Sequence, residues 1–141
     1  MTAPFNGRCA CEAVSLQIQA EPLAIRQCWC RQCQTIAAGS PTNNAVFPAE
    51  AVTISGPLAS SSWIAASGNT LTHTFCPHCG TQIFAQSSAR PAFKTVRLGV
   101  IEEPHDLQPQ AIIWTDEAPN WAIFDPGLKQ FARQPPPPTA N

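Results

Sequence analysis

The sequence is short of charge. Of its 141 residues only 12% are Asp, Glu, Lys or Arg, about half the usual share. The surface must therefore draw on Ser, Thr, Gln, Asn and the backbone. Net charge is −1 and no basic run occurs, which argues against a nucleic-acid footprint and a polybasic patch for membranes. No apolar run approaches the ~20 residues of a spanning helix. The first residues, Met1 to Arg8, lack both the charged start and the apolar stretch of a secretory leader. These absences predict a cytoplasmic protein with neither nucleic acid nor membrane as partner. No glycine-rich phosphate loop, Ser/His/Asp set, carboxylate pair or internal repeat stands out. Glu102 and Glu103 precede Pro104 and read as a solvated turn.

Hydrophobic residues make up 44% of the chain, and the length is that of one ordinary domain. Fifteen prolines disfavour long helices and central strands, so many short elements are expected. Val14, Leu16 and Ile18 alternate with polar residues, as one strand face requires. Val52 and Ile54 precede the turn Ser55-Gly56-Pro57. Leu71–Phe75, Ile83–Ala85 and Ala111–Trp114 read as strands, and so does the alternation of Val96, Leu98 and Val100. Short helices are predicted over about 31–38 and over part of 126–133. The domain boundary is placed at Arg133, with 134–141 a proline-rich tail that buries little and stays extended or flexible.

What the chain has is cysteine, seven in three clusters. Cys9 and Cys11 form C-x-C; Cys28, Cys30 and Cys33 form C-x-C-x-x-C; Cys76 and Cys79 form C-x-x-C. An odd count at such spacings in a reducing compartment fits metal better than disulfides. C-x-C on extended backbone turns both sulfurs one way, and Gly7 could supply the bend that lets them converge. In Cys76-Pro77-His78-Cys79-Gly80, proline sets a turn and glycine can take positive φ after the second ligand. Seven divides as four plus three. Four thiolates close a structural zinc site, and three leave a coordination position open. Cys9, Cys11, Cys76 and Cys79 are the expected structural set, although spacing alone also lets Cys9 and Cys11 join Cys28 and Cys30. An iron–sulfur cluster could use the same thiolates.

Cys28, Cys30 and Cys33 then form the open site, with Cys33 on the first turn of a helix. A divalent zinc with three thiolates carries a formal charge of about −1, which makes nearby Arg31 electrostatically sensible. Such a centre favours a soft external thiol over water. His73, His78, His105 or an Asp could instead fill the fourth position and make the site structural.

These motifs resemble the glutathione-dependent formaldehyde-activating enzyme family, also described as the Gfa or CENP-V-like domain. The likeness runs from about Gly7 to Arg133. It rests on Gly7-x-Cys9-x-Cys11, on Cys28-x-Cys30-x-x-Cys33, on Phe75-Cys76-x-x-Cys79-Gly80-Thr81-x-Ile83-Phe84, and on Ile112-Ile113-Trp114 followed by Pro119-Asn120-Trp121. The resemblance implies a mainly β, Mss4-like fold of twisted antiparallel sheets around a structural zinc on Cys9, Cys11, Cys76 and Cys79. It implies a second, more labile zinc on Cys28, Cys30 and Cys33. It also implies carbon–sulfur lyase chemistry on adducts of a small thiol such as glutathione with an aldehyde such as formaldehyde. The family often has histidine where this chain has Trp29, which points to a smaller or more apolar ligand, or to a ring packed over the site. Two other readings stand beside the lyase: a zinc-stabilised binding module without chemistry, and a redox sensor that releases zinc on oxidation.

Overall fold

The computed structural model describes residues 2–139. Along the chain the strands are β1 (Phe5–Arg8), β2 (Ser15–Ile18), β3 (Ala24–Cys28), β4 (Thr42–Pro48), β5 (Val52–Ser55) and β6 (Ala59–Ile64). They continue with β7 (Thr70–Phe75), β8 (Gln82–Ser87), β9 (Phe93–Arg97), β10 (Ala111–Ile113) and β11 (Lys129–Gln130). One α-helix, α1 (Arg31–Ile36), lies between β3 and β4. A three-stranded sheet runs β1-β2-β5, and an eight-stranded sheet runs β11-β10-β3-β4-β9-β8-β7-β6. Among the described residues no helix is long and apolar enough to cross a membrane.

The core sits on one face of the large sheet. Ile25, Ala45, Val96, Phe84 and Thr74 lie side by side across five strands. With Phe47 they meet Phe5, Leu16, Ile18 and Val52 of the small sheet. The Phe5 and Phe47 rings are 6.3 Å apart. Because side chains alternate along a strand, the same register sends a different row to the opposite face: Arg26, Asn44 and Arg97 in one line, Cys28 and Thr42 in the next. That second face is polar and carries Cys28.

The mainly β architecture and the strands over Val14–Ile18, Val52–Ile54, Leu71–Phe75 and Ile83–Ala85 agree with the sequence reading, and the 31–38 helix is the six-residue α1. Other expectations need correction. β10 pairs parallel with both β3 and β11, so the sheet is mixed. No helix forms over 126–133. Gly127 N–H bonds the Asp125 side chain at 2.8 Å, closing a turn, and Lys129–Gln130 then satisfies the open edge of β10. The strand expected through Val100 stops at Arg97, where Leu98–Val100 forms a 3-10 turn. Gly7 makes no bend; it lets two backbones meet, since a Cβ there would lie 2.4 Å from the Val100 carbonyl oxygen. The proline-rich segment is not free of contacts through 136. Pro135 is buried, Trp114 Nε1 donates to Gln134 Oε1 at 3.1 Å, and Arg26 Nη2 donates to the Pro136 carbonyl at 3.2 Å. Residues 140–141 of the expected tail lie outside the described residues.

Gly56 closes the turn after β5 at φ +107°, with a would-be Cβ 2.1 Å from the Ala13 carbonyl oxygen. Both the backbone conformation and the clash oppose a side chain. Gly56→Ala is expected to destabilise the fold by about 2 kcal/mol or more, read as a lower urea midpoint at unchanged slope.

Candidate metal centres

The first centre is built by two loops. After β1 the chain reverses over Cys9–Val14: Cys9 N–H bonds the Val14 carbonyl at 3.0 Å, and Glu12 takes φ +66°. Val14 N–H points back at Cys9 Sγ, 3.3 Å away, a contact that favours the thiolate. Between β7 and β8 the knuckle closes in the same manner. Gly80 N–H bonds the Cys76 carbonyl at 2.8 Å, Cys76 N–H bonds the Thr81 carbonyl at 3.0 Å, and Gly80 has φ +78°. Ala10 N–H donates to Thr81 Oγ1 at 3.1 Å and ties the loops together.

The result is a gathering of Cys9, Cys11, Cys76 and Cys79, all four Sγ atoms within 4.8 Å of one another. Cys9–Cys11 is 3.6 Å and Cys11–Cys76 is 3.8 Å. The Thr81 hydroxyl, 3.1 Å from Cys79 Sγ, leads the contacts that hold that thiol down to about 5. Four sulfurs at this spacing can surround one tetrahedral ion. The alternative grouping of Cys9 and Cys11 with Cys28 and Cys30 does not occur.

The second centre grows from one continuous segment. β3 ends at Cys28, and Trp29 N–H extends the parallel register by bonding the Ile113 carbonyl at 3.0 Å. Cys30 then caps α1, its sulfur accepting from Cys33 N–H at 3.2 Å. Cys28, Cys30 and Cys33 Sγ atoms lie within 4.8 Å of one another, with Cys30–Cys33 at 3.0 Å. Ile113, Trp114 and Phe131 pack against them. Trp114 is held in the left-handed region at φ +59°, an uncommon conformation for an aromatic residue. The Cys30 and Cys33 sulfurs and burial push the Cys28 thiol far up. Contacts from Cys28 and Cys30, with Thr42 and Arg97, pull Cys33 down to about 3. Three crowded sulfurs cannot all ionise unless a cation joins them, so the donor set suits a soft divalent metal.

The cation beside this cluster is Arg97, not Arg31. Arg31 Nη1 donates to Gln34 Oε1 at 2.6 Å on an exposed side of α1. Arg97 is buried, 8% exposed, and its charge acts on Cys33, Cys28 and Cys30. Its Nη1 donates to Asn44 Oδ1 at 2.6 Å, and Asn44 Nδ2 donates to Thr42 Oγ1 at 2.9 Å. The sequence shows Arg97 only as a residue on the strand face opposite Val96, with nothing to single it out.

No histidine joins either cysteine group among the described residues. His73 is buried on β7, its ring 4.2 Å edge-on from Trp63, and burial lowers its pKa to about 4. His78 is exposed in the knuckle. His105 Nδ1 accepts from Leu107 N–H at 3.2 Å, and its Nε2 lies 3.4 Å from Glu103. Trp29 does not pack over the cluster. Its ring lies against Trp121 and Phe124, each at 6.2 Å. An open groove of about 1060 Å³ is lined by Cys9 and Thr81 of the first centre and by Ile36, Thr42 and Arg97.

The family model for the glutathione-dependent formaldehyde-activating enzyme matches residues 4–117, a span that holds both cysteine centres. The chain belongs to that family. The solved structure of a Rhodobacter sphaeroides protein is similar at 20% identity and a TM-score of 0.57, covering 72% of this chain and 91% of that one; at that identity it supports the fold alone. No curated protein matches this chain. Residues 118–139 fall outside the family match, yet they bring Phe131 against the second centre and Trp121 and Phe124 against the Trp29 ring.

Proposed function

We propose that this family member forms and cleaves carbon–sulfur bonds in adducts of a small thiol with an aldehyde. The observation that carries this reading is the inequality of the two centres: one offers four sulfurs, the other three. Cys9, Cys11, Cys76 and Cys79 would hold a structural zinc. Cys28, Cys30 and Cys33 would hold a second, more labile zinc with one position open to substrate. A zinc ion bound there lowers the pKa of a thiol that joins it, leaving a nucleophile at neutral pH.

The chain's own residues do the rest. Arg97 offsets the negative charge of the sulfur cluster. Ile113, Trp114 and Phe131 shield it from water, which strengthens electrostatic contacts. Cys30, the least buried of the three cysteines, would mark the side from which a ligand enters. His73 lies on the sheet face that carries Arg97 and is kept neutral by burial; we assign it the transfer of the proton between thiol and adduct oxygen.

The test is exchange spectroscopy by NMR with formaldehyde and a panel of thiols, glutathione and smaller ones included. Protein loaded with two zinc ions should speed adduct formation and breakdown equally. Protein loaded with one should not. Identical rates for both would remove the catalytic reading.

A further inference from the structure

We propose that Arg97 is a positioning residue that makes the three-sulfur centre accept a negatively charged fourth ligand in preference to a neutral one. The inference rests on Cys28, Cys30 and Cys33 holding a divalent metal, but not on any catalysis there.

The argument starts from burial. Arg97 Nε and Nη2 are both shut off from solvent and have no hydrogen-bond partner. No carboxylate pairs with Arg97 among the described residues. A buried guanidinium without a counter-ion is strongly unfavourable, so something nearby must carry the compensating charge. The groups its charge acts on are the sulfurs of Cys33, Cys28 and Cys30. The third donor nitrogen, Nη1, is fixed by Asn44, which is fixed in turn by Thr42. The planar fork is therefore held in one orientation, with the three N–H groups of Nε and Nη2 unspent.

Charge then decides the ligand. A divalent ion with three thiolates is formally about −1, and a fourth thiolate makes it about −2. Such a charge inside a protein is poorly tolerated unless a cation faces it. Arg97 brings the assembly back to about −1, whereas a neutral fourth ligand such as imidazole does not need it.

The experiment uses the full chain loaded with cobalt(II), whose thiolate bands report on the second centre. Arg97→Met should weaken metal binding at this centre by 10- to 100-fold, the usual loss for a group that supports metal ligands. The four-sulfur centre should stay filled. In cobalt-loaded protein, 2-mercaptoethanol should bind at least tenfold more weakly to Arg97→Met than to the parent, with imidazole affinity unchanged. Arg97→Lys, which keeps the charge and loses the fork, should recover most of the thiol affinity and serves if the methionine variant folds poorly. Arg31→Met is the control and should match the parent. Equal weakening toward thiol and imidazole, or none toward either, would overturn the proposal. A parent protein that takes up one metal only would overturn the metal reading as well.

Discussion

Cys76→Ala is expected to leave no cooperatively folded protein at 37 °C, whereas Cys33→Ala should still melt in one transition. Cys76 Sγ is fully buried and sits 3.8 Å from Cys11 Sγ. Through it the β7–β8 knuckle is tied to the N-terminal loop. Structural zinc in small domains supplies roughly 10–16 kcal/mol, as much as the whole stability of a typical domain, about 5–15 kcal/mol. Removing one of four ligands forfeits most of that. The cores behind the two centres differ. Cys9 and Cys76 are embedded in the main core, while Cys28 and Cys33 belong to a small satellite cluster with Ile113. For Cys33→Ala the loss is mainly the linkage of one metal. That is about 2.7 kcal/mol when the metal stands at a hundred times its Kd, or roughly 10 °C in Tm for a domain of this size. Calorimetry with metal analysis checks both: two zinc per chain in the parent and one in Cys33→Ala. Indistinguishable melting of the two variants would contradict the four-plus-three division.

The second large effect concerns rate. A free thiol with a pKa near 8.5 is only about 3% ionised at pH 7. A site that keeps it ionised therefore gains about thirtyfold, before any benefit from orientation. Cys33→Ala should return adduct formation to the uncatalysed rate, a fall of at least thirtyfold at pH 7. The sign of the pH dependence follows. As pH rises through 8.5 the free thiol ionises unaided, so the advantage of parent over variant should shrink toward the orientation term alone. A ratio that stays constant from pH 6.5 to 9.5 would mean that thiol ionisation is not what the centre contributes. Exchange rates measured on both proteins across that range decide it.

The legibility of this chain varies from one element to the next. Val14, Leu16 and Ile18 are buried as their alternation requires, because a period of two is a local property of a strand. The knuckle at Cys76–Gly80 was equally legible, since proline and a glycine at positive φ specify that turn within five residues. The segment 126–133 misled. Its composition permits a helix, but Asp125 and Gly127 make a turn and the free edge of β10 takes the next two residues as β11. Arg97 was missed because its alternation with Val96 says only which face it is on. Whether that face meets water or three sulfurs depends on β9 pairing with β4 and β4 with β3, and those pairings bring together residues far apart in sequence.

By itself the sequence determined the ligand chemistry and the local geometry. Soft sulfur donors stand in pairs and a triplet, each spaced so that one short turn brings its members together, and backbone stereochemistry within a few residues suffices for that. Only the tertiary structure decided which pair joins which, what covers the triplet and which cation faces it. Those outcomes depend on cross-strand register and on the parallel entry of β10, where contacts distant along the chain compete and packing of the two sheets selects among them.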